Sequence, residues 1–520
     1  MKRKIVMGVA AAATVVLMFA GCASGSNAGN SAPSVGKPQS GGDLVMARAA
    51  EPTSLLPWTP TDNASIWTLE EIYDTLLVPT QDGKSVKSSL ATTYKESADK
   101  LSWTFDLRHG VKFSNGQELT SADVKFSLDQ SRQPNTPFYF IDKIISSIDT
   151  PDKYTVVIHT SSPWSPLPAD MALYANSIVP NNYAGMSASA FAEKPIGTGP
   201  FKLSSWVKGQ SLKLVKNSSY WQQKKPYLNS VTFTVVPDSN TRATQIQSNQ
   251  AQINEFPAYS SISALQSSST EQVGLFPSSR VDYFVMNNKQ TPFDDPNVRL
   301  AVAQAVDRKS LIKAVLFGHG TVPHGYMSPA LWAYDSSINP PTFNLSAAKA
   351  TLAKSSHPNG FSTKLLVYSG DVEQEAAAQL IQGSLAKIGI KVTLQTLDPS
   401  AAYQAEQTGN YEMGFSYETT DIIDPDEIIR FAGLNTGGSN AMFTSYQNPQ
   451  LEALADKADT LSSQGDRYKV YSQIQQAINA ANPYVLLYYS PSVYSYSNNV
   501  HDFHPYPTGN YNLVDTWMSK

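Results

Sequence analysis

Between positions 364 and 397 the chain reads strand, helix, strand. Residues 364–369 form a short run of strand formers, 373–388 a helical stretch closed by Gly389, and 390–397 a second strand. Two strands joined through a helix lie parallel in one sheet, whereas an antiparallel return needs only a tight turn. Parallel strands require helices on their faces, so the chain is committed to a mixed α/β architecture. The alternation continues elsewhere. Trp103, Phe105 and Leu107 alternate with Ser102, Thr104 and Asp106, the pattern of a strand with one buried face. A turn follows at Asn115 and Gly116, then Thr120 and Asp123 at capping-box spacing, heading a helix with Val124 and Leu128 on one face. Tyr154, Val156 and Ile158 alternate again, as do Val231, Phe233 and Val235. A further helix opens at Asp295 and Pro296, carries Val298, Ala301, Val302 and Ala305 at helical spacing, and has Gly318 as its expected stop. No period of 20–50 residues recurs, which disfavours solenoids and propellers. A chain of 520 residues suggests two to four structural units.

The N-terminus sets the compartment. Lys2, Arg3 and Lys4 precede an apolar run over 5–20, short for a membrane span but suited to a secretory leader. That run ends in Phe19, Ala20, Gly21 and Cys22, which looks like a bacterial lipobox, and Cys22 is the only cysteine of the chain. Residues 23–41 are almost entirely Ala, Ser, Gly, Asn, Pro and Gln, the composition of a flexible tether. The expectation is a signal peptide over 1–21 and a lipid-anchored linker over 22–41. The body would then be exported and held at the outer face of the cell membrane.

Chemistry is conspicuous by what fails to match. The sequence contains no HExxH, GxSxG, Walker loop or GxGxxG after a strand. With 39 Lys+Arg against 43 Asp+Glu the chain is no strongly basic nucleic-acid binder. One cysteine makes neither an internal disulfide nor a CxxC zinc site. His319 and His324 do not share a helical face, and ordinary loop histidines fit them better than metal ligands. Asp421, Asp424, Asp426 and Glu427 lack the spacing of a calcium loop. The tyrosine-rich tail fits core and strand packing better than a stacking platform. No enzyme, metal or cofactor is expected.

Five blocks then appear in a familiar order. They are residues 103–116 (WTFDLRHGVKFSNG) running into 119–124 (LTSADV); 195–201 (PIGTGPF) followed by Asn217, Tyr220 and Trp221; 293–299 (FDDPNVR) with 305–308 (AVDR); 385–392 (LAKIGIKV); and 421–426 (DIIDPD) with Asn440 and 446–449 (YQNP). In these blocks, from about Gly42 to the C-terminus, the chain resembles the extracytoplasmic solute-binding proteins of ABC importers, specifically the oligopeptide/dipeptide-binding family, family 5. The resemblance implies an α/β, two-lobed periplasmic-binding-protein-like fold of class II, the large type with an additional domain, mixed sheets, a hinge and a central cleft. It implies a first lobe over 42–83, 197–286 and 484–520, an additional domain over 84–196, and a second lobe over 287–483. Gly197 and Gly199 fit a domain crossing, where turns open to positive φ are expected.

The resemblance also implies a function: capture of short peptides in the cleft and delivery to ABC permease subunits with their cytoplasmic ATPase, by a monomer that takes no nucleic acid. The same transport role for an oligosaccharide, opine, haem or nickel complex stands as an alternative, as does a surface signalling or adhesion lipoprotein. In peptide-binding relatives a carboxylate ahead of an Asp-Pro pair meets the peptide α-ammonium, and it aligns with Asp421. Those relatives carry Trp three residues earlier, where this chain has Glu418. The second carboxylate would either favour a more basic ligand or point to solvent. Asn63, Ala64 and Ser65 lie where relatives approach the ligand backbone, and Asn440 stands beside the last block. Arg280 would meet either a ligand carboxylate or a structural acid such as Asp282.

Overall fold

The structure, a computed structural model, describes residues 37–435 and 441–520. The leader, Cys22, most of the tether and Asn440 lie outside the described residues.

Three sheets organise the chain. The largest has seven strands in the order Glu271–Phe276, Ser492–Ser497, Ile253–Glu255, Asp43–Arg48, Ser230–Val235, Ser211–Lys216 and Phe201–Val207. Asp43–Arg48 is parallel to both of its neighbours, and the remaining pairs are antiparallel. A four-stranded antiparallel sheet comprises Ala91–Glu96, Ser102–Leu107, Thr155–Thr160 and Ile145–Asp152. The third sheet has five strands, ordered Lys391–Leu397, Ser362–Tyr368, Met413–Glu418, Val281–Met286 and Tyr484–Tyr489.

The strand–helix–strand unit forms as its sequence requires. Ser362–Tyr368 pairs in parallel with Lys391–Leu397, Leu365 opposite Leu394. The helix between them, Val372–Ala386, buries Ala377, Ala378, Ile381 and Leu385, and Gly389 turns the chain at φ +93°. In the helix Ser121–Ser131, Asp123 accepts the Thr120 N–H at 2.7 Å, and Val124 and Leu128 are fully buried. Val281–Met286 is buried along its whole length. Val281, Tyr283 and Val285 join one apolar cluster while Phe284 and Met286 join another, so both faces of this sheet are covered.

Two expectations are revised. The helix from Pro296 stops at Ala305 instead of running toward Gly318. Val306 is extended, and Asp307 accepts the Ser310 N–H at 3.2 Å to open a second helix, Arg308–Val315. An aspartate that can satisfy free N–H groups starts a new helix where periodicity alone continues the old one. Gly318, at φ +88°, follows that second helix. Gly197 and Gly199 are needed for close approach, and neither has positive φ. A Cβ on Gly197 would stand 2.0 Å from the Ile72 carbonyl oxygen, and one on Gly199 2.5 Å from the Ile72 carbonyl carbon. Val281–Met286 and Tyr484–Tyr489 pair with each other in the five-stranded sheet.

Candidate functional site

Chain direction in the five-stranded sheet brings the site together. Ser362–Tyr368 is parallel to Met413–Glu418, and Val281–Met286 is antiparallel to both Met413–Glu418 and Tyr484–Tyr489. The carboxyl ends at Tyr368, Glu418 and Tyr488 therefore share one edge with the start of the strand at Val281, which registers with Glu418 and Tyr489. After Tyr368 the chain crosses to one side of the sheet, and after Glu418 it leads to the other. Diverging connections open a crevice at the strand ends, the usual ligand position in open α/β sheets. A cavity of about 800 Å³ lies there, within the range of small-molecule sites. Its other walls include Thr61 and Asn63, at the start of the helix Asn63–Ile72, and Phe138 and Phe140, just before and within the short helix Tyr139–Asp142.

The loop after Glu418 carries most of the charge. Asp424 caps the helix Pro425–Ile428 and is held by Arg467 at 2.6 and 2.7 Å. Asp426 pairs with Arg430 at 2.8 Å. Asp421 and Glu418 also line the cavity, yet among the described residues no side chain donates a hydrogen bond to either carboxylate. Glu427 stands behind them, 3% exposed, and accepts the Ile422 N–H at 2.8 Å. Burial pushes the Asp421 carboxyl up to about 7. Burial, and then the charge of Asp421, raise Glu418 and Glu427 well above the usual carboxylate range.

Arg280 lines the same cavity but is already engaged. Its Nη2 lies 2.7 Å and its Nε 3.1 Å from Asp282 Oδ1, and its guanidinium lies 3.9 Å from the centre of the Tyr417 ring. Ser490 also donates to Asp282, at 2.7 Å. The structural ion pair and the cavity position thus coexist. Aromatic rings complete the lining. Phe140 meets Phe431 edge-on at 5.0 Å, and Tyr403 meets Phe443 at 5.6 Å.

Asn63, Arg280, Glu418 and Asp421 therefore converge on one cavity. Ala64 and Ser65 do not join them. Successive helical residues point about 100° apart, and both of these are buried in the protein. Ser65 Oγ accepts the Thr53 N–H at 2.8 Å and donates to Asp62 at 2.8 Å, while the Ala64 carbonyl accepts from Arg48 at 3.3 Å. Asn440 falls outside the described residues. Sequence reasoning missed Asp371, Glu373 and Tyr403. Asp371 and Glu373 follow directly on a strand paired in parallel, which is the signal that could have found them. Among the described residues, no group of three or more His, Cys, Asp or Glu side chains is arranged to hold a metal ion. No helix among them is long and apolar enough to cross a membrane.

The family model described as bacterial extracellular solute-binding proteins, family 5 middle, matches residues 85–440. The oligopeptide-binding protein AppA of Bacillus subtilis is 31% identical over 100% of both chains. The periplasmic binding protein DppA of Helicobacter pylori, solved with the peptide STSA, superposes with a TM-score of 0.82 at 29% identity, covering 93% of this chain and 99% of that one. The binding protein AgaA from A. tumefaciens R10, solved with agropinic acid, gives 0.81 at 28% identity over 92% of this chain and 99% of that one. The fold is thus α/β and two-lobed, of the periplasmic-binding-protein type, with mixed sheets about a central cleft.

Proposed function

We propose, from the premise that this chain belongs to family 5 of the bacterial extracellular solute-binding proteins, that it captures short peptides and passes them to an ABC permease. Proteins of this family bind peptides or small solutes outside the cytoplasm and deliver them to such permeases. The observation that carries the peptide reading is Asp421, a carboxylate on the cavity wall with no cation of its own among the described residues. A half-buried carboxylate without a partner becomes costly once a ligand covers it, and a peptide α-ammonium would neutralise it. AppA and DppA, whose names and bound ligand concern peptides, support the reading.

In this reading the seven-stranded sheet forms the first lobe, the four-stranded sheet the additional domain, and the five-stranded sheet the second lobe. The crossings then fall between Phe276 and Val281 and between Tyr489 and Ser492. A peptide touching both lobes makes more contacts when the cleft is shut, so it shifts the population toward closure, the form offered to the permease. Lipidation of Cys22 would tether the protein to the outer face of the membrane. A non-peptide solute is the competing reading, supported by the agropinic acid complex of AgaA.

Calorimetry with free and N-acetylated versions of the same short peptides tests the proposal. Free peptides should bind and acetylated ones should not, and Asp421→Asn should weaken the free peptides by about 2–5 kcal/mol. Equal affinity for both sets, or wild-type affinity in the variant, would remove the ammonium role.

A further inference from the structure

Charge on the cavity wall is one-sided. Asp282, Asp371, Glu373, Glu418, Asp421 and Glu427 line it, and among the described residues Arg280 is the only cation that does. Three of the six acids are answered within the protein. Arg280 holds Asp282, Asp371 caps the helix Val372–Ala386 by accepting the Gln374 N–H at 2.9 Å, and Glu427 accepts the Ile422 N–H at 2.8 Å. Glu373 feels the charge of Arg280 without an ion pair to it, which leaves Glu418 and Asp421 without a partner among the described residues. Burial favours the protonated form of both until a cation arrives, and one α-ammonium answers only one of them.

Two further observations point to what meets the rest. Tyr283 lines the same cavity, is fully buried, and its hydroxyl has no hydrogen-bond partner. The walls also carry the rings of Phe140, Tyr403, Tyr417, Phe431 and Phe443, and aromatic faces beside carboxylates suit an organic cation. The acids are not gathered as metal ligands would be, so several separate positive groups fit better than one ion.

We infer that the cavity selects peptides bearing a Lys or Arg side chain in addition to the free α-ammonium, and that Glu418 receives the second cation. The inference rests on the peptide reading above and deepens it. Glu418 is the last residue of the strand Met413–Glu418, lines the cavity with Asp421 and feels its charge, so a ligand held at Asp421 has the Glu418 carboxylate within its neighbourhood.

The test uses Ala-Lys-Ala, Ala-norleucine-Ala and N-acetyl-Ala-Lys-Ala in calorimetry at roughly physiological salt. Norleucine keeps the length of lysine and removes its charge. Ala-Lys-Ala should bind more than about fivefold tighter than the norleucine peptide. Glu418→Gln should erase that ratio and Glu418→Asp should keep it, with matching melting curves establishing that both variants fold. A ratio under about fivefold in the wild type, or an unchanged ratio in Glu418→Gln, overturns the inference. If the norleucine peptide binds equally well but acetylation abolishes binding, the inference fails and the peptide reading stands. If acetylation changes nothing while the lysine preference holds, the ammonium role of Asp421 fails instead. No binding of any of the three overturns both.

Discussion

Arg467 grips both oxygens of Asp424, at 2.6 and 2.7 Å, while Asp421, on the same loop, has no cation of its own among the described residues. Two aspartates of one short motif have therefore parted in role. Asp424 is spent on architecture, joining the cap of Pro425–Ile428 to the helix Gln464–Ala481. Asp421 is left open to whatever enters the cavity.

Removing the guanidinium should expose that division. Arg467→Met leaves Asp424, 5% exposed, as an unanswered buried charge, and the expected loss is about 3–5 kcal/mol of folding stability. Asp421→Asn, which removes no partner, should cost less than about 1 kcal/mol. Urea unfolding of the two variants checks the contrast. A loss below about 1 kcal/mol for Arg467→Met would show the pair to be dispensable.

Acidity offers a second check. Burial pushes the Asp421 carboxyl from 3.8 to about 7, and burial, opposed by the Asn510 hydrogen bond, takes Glu70 from 4.5 to about 8. The folded chain thus holds protons that the unfolded chain has released. The stability this contributes is full below about pH 4 and is lost as pH rises through about 7 to 8. A cationic ligand requires the ionised carboxylate, so peptide binding should release protons and tighten as pH rises through about 7. Binding heats near pH 6 should depend on the ionisation enthalpy of the buffer, and Asp421→Asn should remove most of that dependence. An affinity constant across this range would contradict the assignment.

Glycine positions give opposite signs. Gly197→Ala would drive a methyl group to 2.0 Å from the Ile72 carbonyl oxygen, and overpacking of this kind costs about 1–3 kcal/mol or more. Gly383, inside the helix Val372–Ala386, has open space where its Cβ would stand. Gly383→Ala should therefore stabilise by about 0.5–1 kcal/mol. Thermal unfolding of both variants decides, and a shift in the same direction for the two would sink the argument.

The fold was largely legible where signals were local. Trp103, Phe105 and Leu107 alternate because one face of their strand is buried, and Gly389 closes its helix because it alone turns comfortably at φ +93°. The break at Asp307 was missed because Val306 and its neighbours continue an apolar pattern that a capping side chain interrupts. That the strands at 281–286 and 484–489 share one sheet was not legible, because hydrogen-bonded neighbours distant in sequence decide membership of a sheet. Asp421 and Glu418 were readable only through the likeness to relatives. Glu373 could have been found from its place just after a strand paired in parallel, whereas nothing in the surroundings of Tyr403 announces a shared cavity.

On the cavity wall Glu418 takes the last rung of its strand's ladder, Asp421 stands in the loop beyond it, and Glu373 in the helix that follows Tyr368. If these positions meet the ligand as proposed, exchanges at 373, 418 or 421 would alter what is captured without disturbing the frame. A lineage carrying this scaffold is free to follow the chemistry of its surroundings, one rim position at a time.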